Sequence, residues 1–142
     1  YTRDTLKRVV KHPRGYVRDT GLLHTLLRIP DGDALLTHPQ IGASWEGMVV
    51  EEALRRMNAL GVGYQYAFYH TSGGAEVDLV LEGGFGLVAI EIKHTSTIGG
   101  HDLRSLRDFV LRHKARLGVV IHNDVAPRLY EDRIVGLPFN FM

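Results

Sequence analysis

Asp78, Glu91 and Lys93 stand in the pattern D-x(12)-E-x-K across two strand-like segments, and these residue types at this spacing suit a divalent-metal phosphodiesterase site. Carboxylate oxygens are hard ligands of the kind Mg²⁺ takes while it keeps several of its waters. An ion held there polarises a phosphate and lowers the pKa of a bound water. An ammonium group beside it, here Lys93, stabilises developing negative charge or positions the attacking water. The set predicts Mg²⁺ or Mn²⁺ as cofactor and phosphodiester hydrolysis as chemistry.

Strand geometry has to bring these groups together. In Glu76-Val77-Asp78-Leu79-Val80-Leu81, regular alternation puts Val77, Leu79 and Leu81 on one face and Asp78 on the other, with Glu76 and Val80. In Leu87-Val88-Ala89-Ile90-Glu91-Ile92-Lys93, Val88, Ile90 and Ile92 share a face, and Glu91 and Lys93 are neighbours on the opposite one. The glycine-rich turn Glu82-Gly83-Gly84-Phe85-Gly86 is long enough only for a hairpin, so the two strands pair antiparallel and Asp78 approaches Glu91. Upstream, helical periodicity over about 42–60 gathers Val49, Val50, Ala53, Leu54, Met57 and Leu60 on one arc, with Glu46 near its middle. An acid on a buried stripe needs a partner, and a metal ion or Lys93 would supply it.

The order of a helix with Glu46, a strand over 64–70, the Asp78 strand, the Glu91-x-Lys93 strand, a helix over about 102–114 and a strand over 118–121 resembles the PD-(D/E)XK nuclease fold. That is a restriction-endonuclease-like α/β core, a central mixed sheet flanked by helices. More narrowly, Arg18-Asp19-Thr20-Gly21-Leu22-Leu23, Trp45-Glu46, Gly74-Ala75-Glu76-Val77-Asp78 and Ile90-Glu91-Ile92-Lys93 resemble the domain of unknown function DUF4143. That domain is found C-terminal to the ATPase module in a group of bacterial and archaeal AAA+ proteins. The resemblance runs from about residue 11 to 120. It implies that Asp78 and Glu91 bind metal with the backbone carbonyl of Ile92, that Lys93 serves catalysis, and that Glu46 matches a helical acid of some subfamilies. It also implies an upstream ATPase domain of the same protein as a partner.

Composition bounds the rest. At 142 residues, 44% of them hydrophobic, the chain has enough apolar content for one compact domain with a real core. Residues 1–41 read as a basic lead-in with a short apolar helix, at the junction to an upstream module, and residues 42–142 as the nuclease-like domain. The chain opens at Tyr1 on a polar, basic stretch and holds no G-x-x-x-x-G-K-[ST] phosphate cradle, so it reads as an excised piece without an ATP site. The absence of cysteine excludes disulfides, thiolate zinc sites and cysteine catalysis, and makes a reducing cytoplasm the expected compartment. No signal peptide or long apolar run is present, so no membrane partner is expected.

A net charge of +1 and a pI near 8.3 give no global attraction to nucleic acid, so binding would have to come from local patches. One patch is Arg3, Lys7, Arg8, Lys11, Arg14 and Arg18; another is Arg104, Arg107, Arg112, Lys114 and Arg116. Arg14, Arg18, Arg104 and Arg107 are the candidate nucleic-acid contacts, and phosphate binding by them would be salt-dependent. The alternative for each patch is a solvated face.

Eight histidines contain no H-x-x-x-H or H-E-x-x-H pairing, which argues against a zinc site. His94, directly after Lys93 at the strand end, is the one that could touch a phosphate, the alternative being an ordinary loop histidine. Trp45 is expected in the core, and β propensity accounts for Tyr64, Tyr66, Phe68 and Tyr69. Leu22, Leu23, Leu26 and Leu27 predict a short helix, 30–33 a loop, and 134–142, broken by Pro138, a final edge strand. Two function classes follow: a metal-dependent nucleic-acid phosphodiesterase, or a non-catalytic interaction or regulatory module docking on the ATPase or a protein partner. In the second, Asp78, Glu91 and Lys93 form a structural ion-pair network.

Overall fold

The computed structural model describes residues 15–142. Three helices come first: α1 (Thr20–Leu26), α2 (Gly32–Thr37) and α3 (Ile41–Ala59). Asp19 caps α1 by accepting from the Leu22 amide, and Asp31 caps α2 by accepting from the Ala34 amide, each satisfying a donor that the first helical turn leaves unpaired. Of the segment expected to be a loop at 30–33, Pro30 and Asp31 are loop, whereas Gly32 and Asp33 already open α2, because Asp31 supplies the cap. Both short helices pack on α3.

Three antiparallel strands follow: β1 (Tyr64–His70), β2 (Glu76–Gly83) and β3 (Gly86–Ile92). The β2–β3 hairpin forms as predicted, the chain leaving its turn at Gly86 with φ +94, a conformation that costs glycine little. Helix α4 (Arg104–His113) then carries the chain over the sheet to β4 (Leu117–His122), which pairs parallel with β3, the usual crossover between parallel strands. Lys114, in the left-handed region at φ 52, stops α4 and returns its amide to the Val110 carbonyl.

The C-terminal part corrects one expectation. The strand after Ile134 is an inner strand, β6 (Ile134–Pro138), parallel to β4, and the edge is taken by β5 (Arg128–Glu131). The sheet order is β1-β2-β3-β4-β6-β5. Pro138 ends β6 rather than interrupting it, and a 3-10 turn follows at Phe139–Phe141.

Each face of this mixed sheet has its own apolar layer. Leu106, Phe109 and Val110 of α4, with Leu103 just before it, cover Val77, Val80, Leu87, Ala89 and Val120. Val49, Val50 and Ala53 of α3 cover Leu79, Leu81, Ile90, Ile92, Val119 and Ile121. Of the predicted α3 stripe, Val49, Val50 and Ala53 are buried, Leu54 and Met57 partly so, and Leu60, just past the helix end, is exposed. Trp45 packs on the α3 layer as expected, its ring against Phe139 and His94. Among the described residues no helix is long and apolar enough to cross a membrane.

Candidate functional site

Asp78 sits on a defect in the ladder. Pairing between β1 and β2 runs from Ala67↔Val80 to Tyr69↔Val77, so Phe68 alone opposes two residues, Asp78 and Leu79. That is a β-bulge, and it overturns the regular alternation expected for this strand. Val77 packs in the α4 layer and Leu79 in the α3 layer, with Asp78 as the extra residue between them. Bulges re-aim side chains in this way. Here the Asp78 position borders a cavity that Gly47 and Val50 of α3 also line.

Asp78 is only 8% exposed. Its Oδ2 accepts from the Ile92 backbone amide at 2.8 Å, just beyond the last regular β2–β3 pair, Leu79↔Ile90. On β3, Ile90 and Ile92 belong to the α3 layer and Ala89 to the α4 layer, so Glu91 alternates to the α4 side. Lys93 continues the strand, its amide donating to the Ile121 carbonyl at 2.9 Å. Its Nζ lies 2.8 Å from Glu91 Oε1.

Glu91 is 6% exposed, and its second oxygen, Oε2, is buried with no hydrogen-bond partner. Burial, and then the Asp78 carboxylate, push its pKa up to about 7, outweighing the Lys93 hydrogen bond that pulls it down. Burial lowers the Lys93 pKa, but Glu91, Asp78 and Asp102 together outweigh it and hold the ammonium above its usual range. The structure therefore brings Asp78, Glu91, Lys93 and the Ile92 backbone together.

For Glu46 the partner seen is neither an ion nor Lys93 but a tyrosine. From one turn into α3 Glu46 accepts a hydrogen bond from the Tyr16 hydroxyl, a residue that sequence reasoning did not single out. Tyr16 also packs on Gly47, where an added Cβ would stand 3.3 Å from its ring. It lines the Asp78 cavity as well, so it joins the Glu46 turn of α3 to the Asp78 cavity. A partner 30 residues away leaves no local signal.

That cavity, 850 Å³, lies between α3 and β1. Tyr64, Tyr66 and Phe68 line it, while Tyr69, the odd member of the aromatic run, is buried against Phe109 in the other layer. Of the candidate phosphate contacts, Arg18 is exposed and held bidentate by Glu51, and Arg107 is paired with Glu131. Arg104 is exposed at the start of α4, and Arg14 lies outside the described residues. Among the described residues no three His, Cys, Asp or Glu side chains gather as a metal-holding group.

A family model described as a domain of unknown function, DUF4143, matches residues 41–141. Two relatives, uncharacterized proteins of Mycobacterium bovis and Mycobacterium tuberculosis, are each 44% identical over 134 residues. The match covers 93% of this chain but only 29% of either relative's length. No solved structure matches the chain.

Proposed function

The chain belongs to the DUF4143 family, and from that premise we propose that it is a nuclease-like module acting on nucleic acid through a divalent ion at Asp78, Glu91 and the Ile92 carbonyl. The observation that carries the reading is Glu91: a carboxylate almost wholly buried, one oxygen on Lys93 and the other without a hydrogen bond. A buried charge is retained only where something offsets it, and an ordinary ion-pair network would satisfy both oxygens. The donor set fits the ion, since Mg²⁺ and Mn²⁺ take carboxylate and carbonyl oxygens. Two carboxylates suffice where waters complete the shell of such an ion.

When bound, the ion would polarise a phosphodiester and acidify a water. The chain's own residues supply the frame. The Ile92 amide fixes the orientation of Asp78, Glu91 holds Lys93 within reach of a phosphate oxygen, and the ammonium, kept charged by three acids, offsets the charge that develops there. The strand order α3-β1-β2-β3-α4-β4 supports reading this α/β sheet as a PD-(D/E)XK core. Of the described candidate arginines, Arg18 and Arg107 are held by Glu51 and Glu131, and Arg104 is exposed.

A second reading is an interaction module for the remainder of a longer protein, an upstream ATPase among the partners. The chain spans 29% of the length of its curated relatives, and Leu22, Leu26 and Leu36 are exposed on the outer sides of α1 and α2. Calorimetric titration of Mn²⁺ into the protein at pH 7.5 separates the two. Saturable binding that Asp78→Asn abolishes supports the nuclease-like site, and absence of binding in the folded protein supports the interaction module.

A further inference from the structure

Strand β1 is an edge strand, and the groove beneath it leads to the bulge at Asp78. Residues 64, 66 and 68 alternate onto the groove side, so three aromatic rings line one wall in sequence. Tyr64 is fixed, its hydroxyl donating to the Leu54 carbonyl and bonded to the Asn58 side chain. Phe68 is half-buried opposite Asp78. Tyr66 differs: it is 63% exposed, its ring 6.3 Å from that of Tyr64. Tilted against its neighbour at 42° rather than stacked on it, and largely in water, the Tyr66 ring offers a face to a base.

We infer that this groove binds an unpaired nucleic-acid strand, with Tyr66 stacking a base and the strand running toward Asp78. This rests on the reading of Asp78 and Glu91 as an ion site. Flat aromatic platforms in a row accept bases of any sequence, because every base has a π face. A duplex keeps its bases stacked on one another and offers none to Tyr66. The charges in the wall sharpen the inference. Arg18 and Glu51 cancel as an ion pair, which leaves Asp78 repelling phosphate until a divalent ion reverses the local sign. Strand binding is therefore metal-dependent, and Tyr66 is its specificity-determining residue.

The test is fluorescence anisotropy of labelled single-stranded dT12 in Ca²⁺, with U12 and a duplex of equal length beside it. Wild type is expected to bind the single strands at least tenfold tighter than the duplex, and to lose that binding in EDTA. Tyr66→Ala is expected to weaken it about tenfold and Tyr66→Phe, which keeps the ring, to restore it. Unequal binding of dT12 and U12, through the 2′-hydroxyl or the base methyl, still supports the groove. Equal affinity for duplex and single strand, no binding, or an unaltered affinity in Tyr66→Ala overturns the inference. A parallel Ca²⁺ titration without nucleic acid separates the failures. If the ion binds and dT12 does not, the groove reading alone falls; if the ion does not bind, the site reading falls with it.

Discussion

Asp78 holds the backbone amide of Ile92 at 2.8 Å, across the point where β2 and β3 leave their regular ladder. The bond joins a bulged strand to the strand that carries Glu91 and Lys93, and it gives Asp78 a structural duty alongside any chemical one. The two duties separate by substitution. Asp78→Asn keeps an oxygen to accept from Ile92, whereas Asp78→Ala leaves that buried amide unpaired, at a cost of about 1–3 kcal/mol. Urea denaturation is expected to show Asn near wild type and Ala destabilised by that amount, while both lose metal affinity.

Glu91 sets a pH dependence. Its pKa rises from 4.5 to about 7 on folding, so between those values the folded state holds a proton that the unfolded state has released. Stability then falls as pH rises through this window, and the loss is complete above about 7. The full difference is worth roughly 3 kcal/mol. Glu91→Gln, which cannot ionise, is expected to flatten the stability profile between pH 4.5 and 7 and to be the more stable protein at pH 8, as read by denaturant midpoints.

Lys93 matters most where Glu91 is charged. In Lys93→Gln the carboxylate loses its counter-ion, but at pH 5 it is protonated and needs none. The expected cost is small at pH 5 and about 1.5–3 kcal/mol at pH 8, measured by the same denaturation series. A cost independent of pH would show that the lysine acts through packing of its stem alone.

Much of this was legible from residue order. The hairpin followed from Gly83-Gly84-Phe85-Gly86, and α3 and α4 from apolar residues at helical spacing, because those signals are local. The bulge was not legible: Asp78 and Leu79 are both extended, and only the partner strand reveals that two residues face Phe68. The same holds for Tyr16 and Glu46, joined over 30 residues. Strand β5 leaves little trace in the sequence, because Arg128-Leu129-Tyr130-Glu131 is short and carries no apolar alternation. Without it, residue order alone puts Ile134–Pro138 at the edge.

Gly136 on β6 tests the packing of that missed region. A Cβ there would fall 2.5 Å from the Tyr130 ring and 2.8 Å from His122 Nε2, and His122 is fully buried. Gly136→Ala forces both rings to move and is expected to destabilise the fold by about 1–3 kcal/mol, visible as a lowered melting temperature. Metal binding at Asp78, on the other side of β4, is expected to persist in the folded variant.

The central claim, that Asp78 and Glu91 serve phosphodiester hydrolysis, is tested most directly by cleavage of single-stranded and plasmid DNA and of RNA in Mg²⁺ and Mn²⁺ at low salt. Wild type is compared with Asp78→Asn and Glu91→Gln, each first shown to be folded. The account predicts cutting that needs the metal, stops in EDTA and is lost in both variants. Cutting that survives in both variants, or none by a wild-type protein that binds the substrate and the ion, would contradict it.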